Sequence, residues 1–340
     1  MVQKLGFIGL LVAMLFPPSL WGQADVEPWR CEVLPLPDQQ VAFLIDGREV
    51  TRWHHSTEYP RPFFYPFNGP TGTSLTRMGH PGAPNHDHHR SVWFAHYKVE
   101  GVDFWSDQTG AQVRQKHWLA YVDGMRESVM ASSLGWYDGT GQELLEQELV
   151  VAVRPLKEQE YLLEIQSTFR PGAGRESVRL EQTNFGFFAV RVAKALSGHF
   201  GGGLISDSES RVGEKAIFEQ QAKWMDYSGR VAVMEGERRI WRNEGITYFD
   251  HPENDGYPSH WHVREDGWMG AAWNFRSDAE VTEEKSLVLR YLLHSHAGAY
   301  DASRAAKIAA AFAQRPGFLV QKSKRPHRQY EVARRPAAGQ

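Results

Sequence analysis

Three imidazoles, a carboxylate and a guanidinium fall within five consecutive residues at His86-Asp87-His88-His89-Arg90. Imidazole is the side chain that gains and loses a proton near neutral pH, and its neutral form ligates divalent metals. The run therefore offers general acid–base chemistry or metal binding. It is framed by Pro81, Gly82 and Pro84, and Ser91 to Val99 after it is strand-like. A turn feeding a strand is where a rigid sheet presents polar side chains to a ligand. Extended backbone through the run would point His86 and His88 to one face and His89 to the other. The plainer reading is a polar loop whose histidines bond carbonyls.

Two more His-x-His pairs follow, His260/His262 and His294/His296. On a strand that spacing places both rings on one face. His86, His88, His260 and His262 are the candidate metal ligands, and Asp87, Asp250, Glu253 or Glu265 could complete a divalent site. Chance pairs are common in a chain with 15 His, so a metal-free sugar site is the favoured reading. His294 and His296 close a core-like strand and read as structural.

Two other stretches combine the same residue types. Phe249-Asp250-His251-Pro252-Glu253-Asn254 leads into Tyr257 and then Trp261-His262-Val263-Arg264; Lys223-Trp224-Met225-Asp226-Tyr227 is the other. Acids and amides bond sugar hydroxyls, and aromatic faces receive the C–H side of a pyranose. The candidate catalytic residues are accordingly His86, His88, Asp226, Asp250 and Glu253. Arg77, His89, Arg90, Trp105, Trp224, His251, Tyr257, Trp261, His262 and Arg264 are the candidate substrate contacts. The competing reading makes Trp224 and Tyr227 sandwich core and Asp226 a turn acceptor.

The elements that must carry these residues are strands. Asp46-Gly47 joins Val41–Ile45 to Glu49–Trp53 as a hairpin, and Glu100-Gly101 is a second turn. Extended patterns follow at 117–122, 128–137, 144–153, 161–170, 178–192, 216–227, 230–233, 238–241, 246–249, 268–275 and 286–294. One helix is expected over 302–314, capped by Asp301 or Ser303 and ended by Pro316-Gly317. Many antiparallel strands without interleaved helices predict an all-β fold. A large twisted sandwich of the sugar-mutarotase kind suits the length better than a jelly roll.

Residues 1–24 read as an export signal: Lys4, an apolar run from Leu5 to Phe16, and a small-residue cleavage site ending at Ala24. Residues 25–320 are then one domain, and the basic, Pro/Ala-rich 321–340 a disordered tail. The protein is expected in the periplasm or outside the cell. A single cysteine excludes an internal disulfide, and a net charge of −3 argues against nucleic acid. No stretch beyond the leader has the length and apolarity of a membrane span.

Arg61-Pro-Phe-Phe-Tyr-Pro66, Thr76-Arg77, His86–Ser91, Trp93-Phe94 and Gly101-Val-Asp-Phe-Trp105 together resemble the secreted bacterial family labelled PmoA-like or "methane oxygenase". Lys223–Gly229, Phe249–Pro252, Tyr257-Pro258, Trp261–Arg264 and Ser286–Tyr291 match its later blocks, in order, over about residues 40 to 300. Where its members often read His-Pro-His-His, this chain has Asp87. The resemblance implies an exported β-sandwich protein of polysaccharide-degrading bacteria, and supplies no catalytic residues. It does not imply a membrane monooxygenase subunit.

Residue chemistry alone favours a hydrolase, lyase or epimerase acting on a sugar or oxidised sugar. His86 or His88 would be the acid–base group, with a carboxylate partner and arginines holding hydroxyls or developing negative charge. The rivals are a His-ligated metal-dependent oxygenase or hydrolase, and a glycan-binding protein without catalysis.

Overall fold

A computed structural model of the protein describes residues 30–80 and 82–336; the proposed export signal lies outside them. The strands form where apolar residues alternate. In Gln40–Ile45, Val41, Phe43 and Ile45 turn inward, and the Asp46-Gly47 turn follows with positive φ at both residues (50° and 74°), as its glycine predicts.

Two eight-stranded antiparallel sheets result. The first runs, in spatial order, Cys31–Leu36, Gln40–Ile45, Arg48–His54, Phe63–Phe67, Val92–Phe94, Phe188–Arg191, Trp268–Ala272 and His260–Arg264. The second runs Leu204–Asp207, Trp224–Glu235, Arg238–Asp250, Leu287–Ala297, Tyr161–Pro171, Glu143–Pro155, Ser128–Tyr137 and Gln112–Val122. Their inner faces meet in one core. Phe188 of the first sheet packs on Tyr248 and Tyr291 of the second at 5.2 and 5.3 Å between ring centroids. The Tyr248 hydroxyl donates to the Phe188 carbonyl at 3.0 Å. The all-β sandwich is thus the observed fold, with twice the strands of a jelly roll.

Some boundaries differ from the sequence expectation. Residues 178–192 are broken into Ser177–Leu180 and Phe188–Arg191, whereas 238–250 is a single strand. The C-terminal helix is Ala302–Ala313, and the Asp301 carboxylate accepts from the Ser303 and Arg304 amides. The tail is not disordered up to residue 336. Phe318–Lys322 and Tyr330–Arg334 form a hairpin. Phe318 packs on Val129, Ala131, Val150 and Ala152, and Arg334 pairs with Glu127 and Glu164. Those contacts offset the entropy that composition alone assigned to the segment.

Helix and hairpin together cover the outer face of the second sheet. Ala305 and Phe312 bury Leu162, Trp224, Phe249 and Leu292. The outer face of the first sheet carries a different layer, of Phe63, Trp93, Trp105, Ala189 and Trp268. The histidine-rich loop lies over that layer.

Candidate functional site

The loop is pinned at its base. Met78 bridges Arg90, and the Gly79 and Ser91 amides donate to the His89 and Arg77 carbonyls at 2.8 and 2.9 Å. Gly79 has φ +67°, and a Cβ there would meet an Asp87 carboxylate oxygen at 3.1 Å, so only glycine fits this crossing. Pro84–His86 is a 3-10 turn, not extended chain. The turn overturns the alternating arrangement and converges the three rings. His88 lies 4.4 Å from His89, and His86 lies 5.2 Å from His89 and 6.0 Å from His88. Asp87 is exposed, its carboxylate lying against Gly79.

His89 is 5% exposed and slots between indoles, stacked on Trp93 at 5.4 Å and on Trp268 at 5.7 Å. Trp268 in turn touches His262 at 4.0 Å, and Phe185 bridges His262 and Trp105 at 5.3 and 5.2 Å. The first histidine cluster, Trp105 and His262 therefore share one face, as one site requires.

Two carboxylates flank this aromatic floor, and both were missed in the sequence. Asp107 is held by both Arg90 and Arg61. Burial works against its charge, but the Arg90 hydrogen bond and the Arg61 charge outweigh it and keep the carboxyl below its usual range. Asp266 accepts from Arg191 at 2.7 and 3.1 Å and pairs with His80 at 3.0 Å. It too is held below the usual carboxylate range, burial opposing and Arg191 prevailing. Arg77 donates to the Asp266 backbone carbonyl at 2.7 Å. Asp266 sits in a turn after Arg264, and Asp107 two residues past Trp105; only their nearness to quoted motifs could have signalled them.

The imidazoles of His86, His88, His89 and His262 are held in the neutral form at pH 7. Burial, then the Arg61 charge, pushes His88 down to about 4. Burial, then Arg264, pushes His262 down to about 3. His86 is lowered by burial and by His80, and His89 far more so by burial and His88. The Nδ1 of His262 lies 3.0 Å from the Asn184 carbonyl. A carbonyl only accepts, so Nδ1 carries the proton and Nε2 presents a lone pair.

Asp226, Trp224, Asp250, His251, Glu253 and Trp261 do not join this face. Asp226 is fully buried on the outer face of the second sheet. It accepts from Thr247 at 2.7 Å and from Ser228, and pairs with His296 at 2.8 Å. Trp224 donates to the Tyr300 hydroxyl at 2.9 Å there. Asp250 organises the 251–259 loop, accepting from Asn254 and the Ser259 amide at 2.7 and 2.8 Å. His251 uses both ring nitrogens, on the Phe312 carbonyl and the Glu253 amide. Glu253 pairs with Arg290 at 2.9 Å. Trp261 points into the inter-sheet core and donates to the Ala222 carbonyl at 2.8 Å. These residues hold elements together, because strand alternation and the 251–259 crossover turn them away from the histidines.

Tyr257 and His260 line a separate cleft of about 1210 Å³ with Glu253, Trp273 and Arg276. His260 stacks there on Phe275 at 4.4 Å. Arg264 turns to Glu214 at 3.3 Å and lies over Phe218. His294 and His296 are buried and paired, with Glu160 and Asp226, as their structural reading requires. The proposed metal set is thus divided. Among the described residues no group of three or more His, Cys, Asp or Glu side chains is arranged to hold an ion.

Residues 40–310 match a family profile that covers most of the chain, including every side chain of this face from Arg61 to Trp268. The chain belongs to the family of unknown function DUF6807. No curated protein matches it. The DUF6807 region also takes in the start of the C-terminal helix and stops short of the 318–334 hairpin. Among the described residues no helix is long and apolar enough to cross a membrane.

Proposed function

We propose that this DUF6807 protein is an exported carbohydrate-active enzyme, of the PmoA-like kind its motifs resemble, working on a sugar or oxidised sugar. The observation that carries the reading is the set of neutral imidazoles gathered on an indole floor between two arginine-held carboxylates. Indole and phenyl faces suit the C–H side of a sugar ring, and Arg90, Asp107 and Asp266 suit its hydroxyls. His88 and His86 are the acid–base pair, with Asp107 taking the place of the carboxylates first considered. His262 supplies a fixed acceptor at Nε2. Hydrolysis, elimination and epimerisation all use such parts.

The test is a turnover screen of glycosides and keto-sugars with the wild type, His88→Ala and Asp107→Asn. Removing the His88 imidazole is expected to cost ~10²–10⁴ in kcat/KM on whichever sugar is turned over. Full activity in His88→Ala would sink the acid–base assignment. Binding of a sugar without turnover would leave the glycan-binding reading in its place.

A further inference from the structure

Most of the unpaired buried atoms of this face are donors. Buried and without a hydrogen-bond partner are Nε and Nη1 of Arg77, Nε of Arg191, and the indole nitrogens of Trp93 and Trp268, with Nδ1 of His86 and His89 beside them. Arginine and tryptophan nitrogens only donate. Among the described residues, none of the face's unpaired buried side-chain atoms is an oxygen. A ligand complementary to it must therefore bring acceptors in excess.

Arg77 is the centre of that excess. Its guanidinium lies over Phe200 at 5.6 Å and has a backbone carbonyl as its hydrogen-bonded partner, not a carboxylate. The nearest carboxylate, Asp266, already binds both terminal nitrogens of Arg191 and pairs with His80. Lys194 also stands over Phe200, at 5.7 Å. Arg77 and Lys194 thus share the Phe200 ring beside the committed Arg191–Asp266 pair. A half-buried guanidinium that shares its one nearby carboxylate with a second arginine is costly, and a bound carboxylate returns charge-assisted hydrogen bonds.

We infer that the ligand of this face is an acidic sugar, a uronate-type carboxylate received by Arg77 beside the Arg191–Asp266 pair. The inference rests on the sugar reading above and narrows it. It also bears on the chemistry. A negative charge brought beside imidazoles that burial keeps neutral makes their protonated form easier to reach, which suits them to acid–base work near neutral pH.

The experiment is calorimetric titration of the full chain with D-glucuronate, D-galacturonate and D-mannuronate, each beside its neutral counterpart glucose, galactose or mannose. Wild type, Arg77→Gln and Arg77→Lys are compared, with thermal melts to show that each variant is folded. The best uronate is expected to bind at least ~10-fold tighter than its neutral partner, weakening as salt rises. Arg77→Gln should narrow that ratio to about 3-fold or less, with Arg77→Lys between the two. Equal affinity for uronate and neutral sugar, or a ratio unchanged in Arg77→Gln, overturns the acidic-ligand inference and leaves the sugar reading standing. Binding of none of the six sugars overturns the sugar reading and the inference with it.

Discussion

Replacing Asp226 by alanine separates a structural carboxylate from a catalytic one. The side chain is wholly buried beneath the C-terminal helix and accepts from Ser228, Thr247 and His296. Its removal orphans two hydroxyls and leaves His296 without its counter-charge. Breaking a buried pair of this kind costs about 3–5 kcal/mol, which for a chain of this size lowers Tm by roughly 10 °C. The loss has a pH signature. Burial opposes the charged form of His296, but the Asp226 carboxylate and its hydrogen bond outweigh it and raise the pKa above its ordinary value. A raised histidine pKa contributes stability that is full below about 6.5 and disappears as pH rises through the folded value. The gap between wild type and Asp226→Ala, read by guanidinium unfolding at pH 6 and pH 8, should therefore be larger at pH 6. A variant melting within about 2 °C of wild type, or an equal gap at both pH values, would refute the structural assignment.

Three further outcomes are expected. His96 is fully buried, stacked on Phe187, and donates to the Glu181 carbonyl; burial pushes it down to about 4. A depressed histidine pKa withdraws stability as pH falls below 6.5, so His96→Gln should reduce the wild-type loss between pH 7.5 and pH 5 by about 2 kcal/mol; an unchanged acid slope would disprove it. Phe318→Ala should destabilise the fold by about 3–5 kcal/mol and expose the 318–334 hairpin to proteases, and a hairpin equally resistant in the variant would show that it docks by other means. Elemental analysis of protein purified without chelator or histidine tag should find less than about 0.1 equivalent of zinc, copper, iron or manganese, since the ligand set is divided between two places; one equivalent, lost in His88→Ala, would restore the metalloenzyme reading.

The fold was legible because strand alternation and turn chemistry are local. Asp46-Gly47 and the Asp301 cap declared themselves by residue type alone. The candidate site was legible only in part. His86 to Arg90, Trp105 and His262 were found because their density exceeded what a polar loop needs. Asp107 and Asp266 were not, because an isolated aspartate in a turn looks the same whether it caps an amide or faces an arginine 75 residues away. Asp226, Asp250 and His251 misled for a related reason. Buried acid–imidazole pairs that lock elements together use the same residue types as catalysis, and only the third dimension shows which face of the sandwich they occupy.

Both outer faces of the sandwich pose one physical problem, since a sheet packed on one side must have its other side covered or wetted. The second sheet is covered by the helix and the terminal hairpin. There Arg290 pairs with Glu164, Arg304 with Glu160 and His296 with Asp226. The first sheet is covered instead by loops bearing histidines, arginines and indoles whose nitrogens are left unpaired. Burying a donor without an acceptor costs about 1–3 kcal/mol. The second sheet's cover also leaves Nε of Arg290 and Arg334 unpaired, but each of those guanidiniums is joined to a carboxylate through its other nitrogens, whereas Arg77 bonds a backbone carbonyl. Retaining several such donors together makes sense where something outside the chain completes them. That contrast within one molecule favours the first sheet's outer face as the proposed site more strongly than the histidine count does. Filling the donors with a ligand should raise Tm, whereas no small acid should stabilise the opposite face.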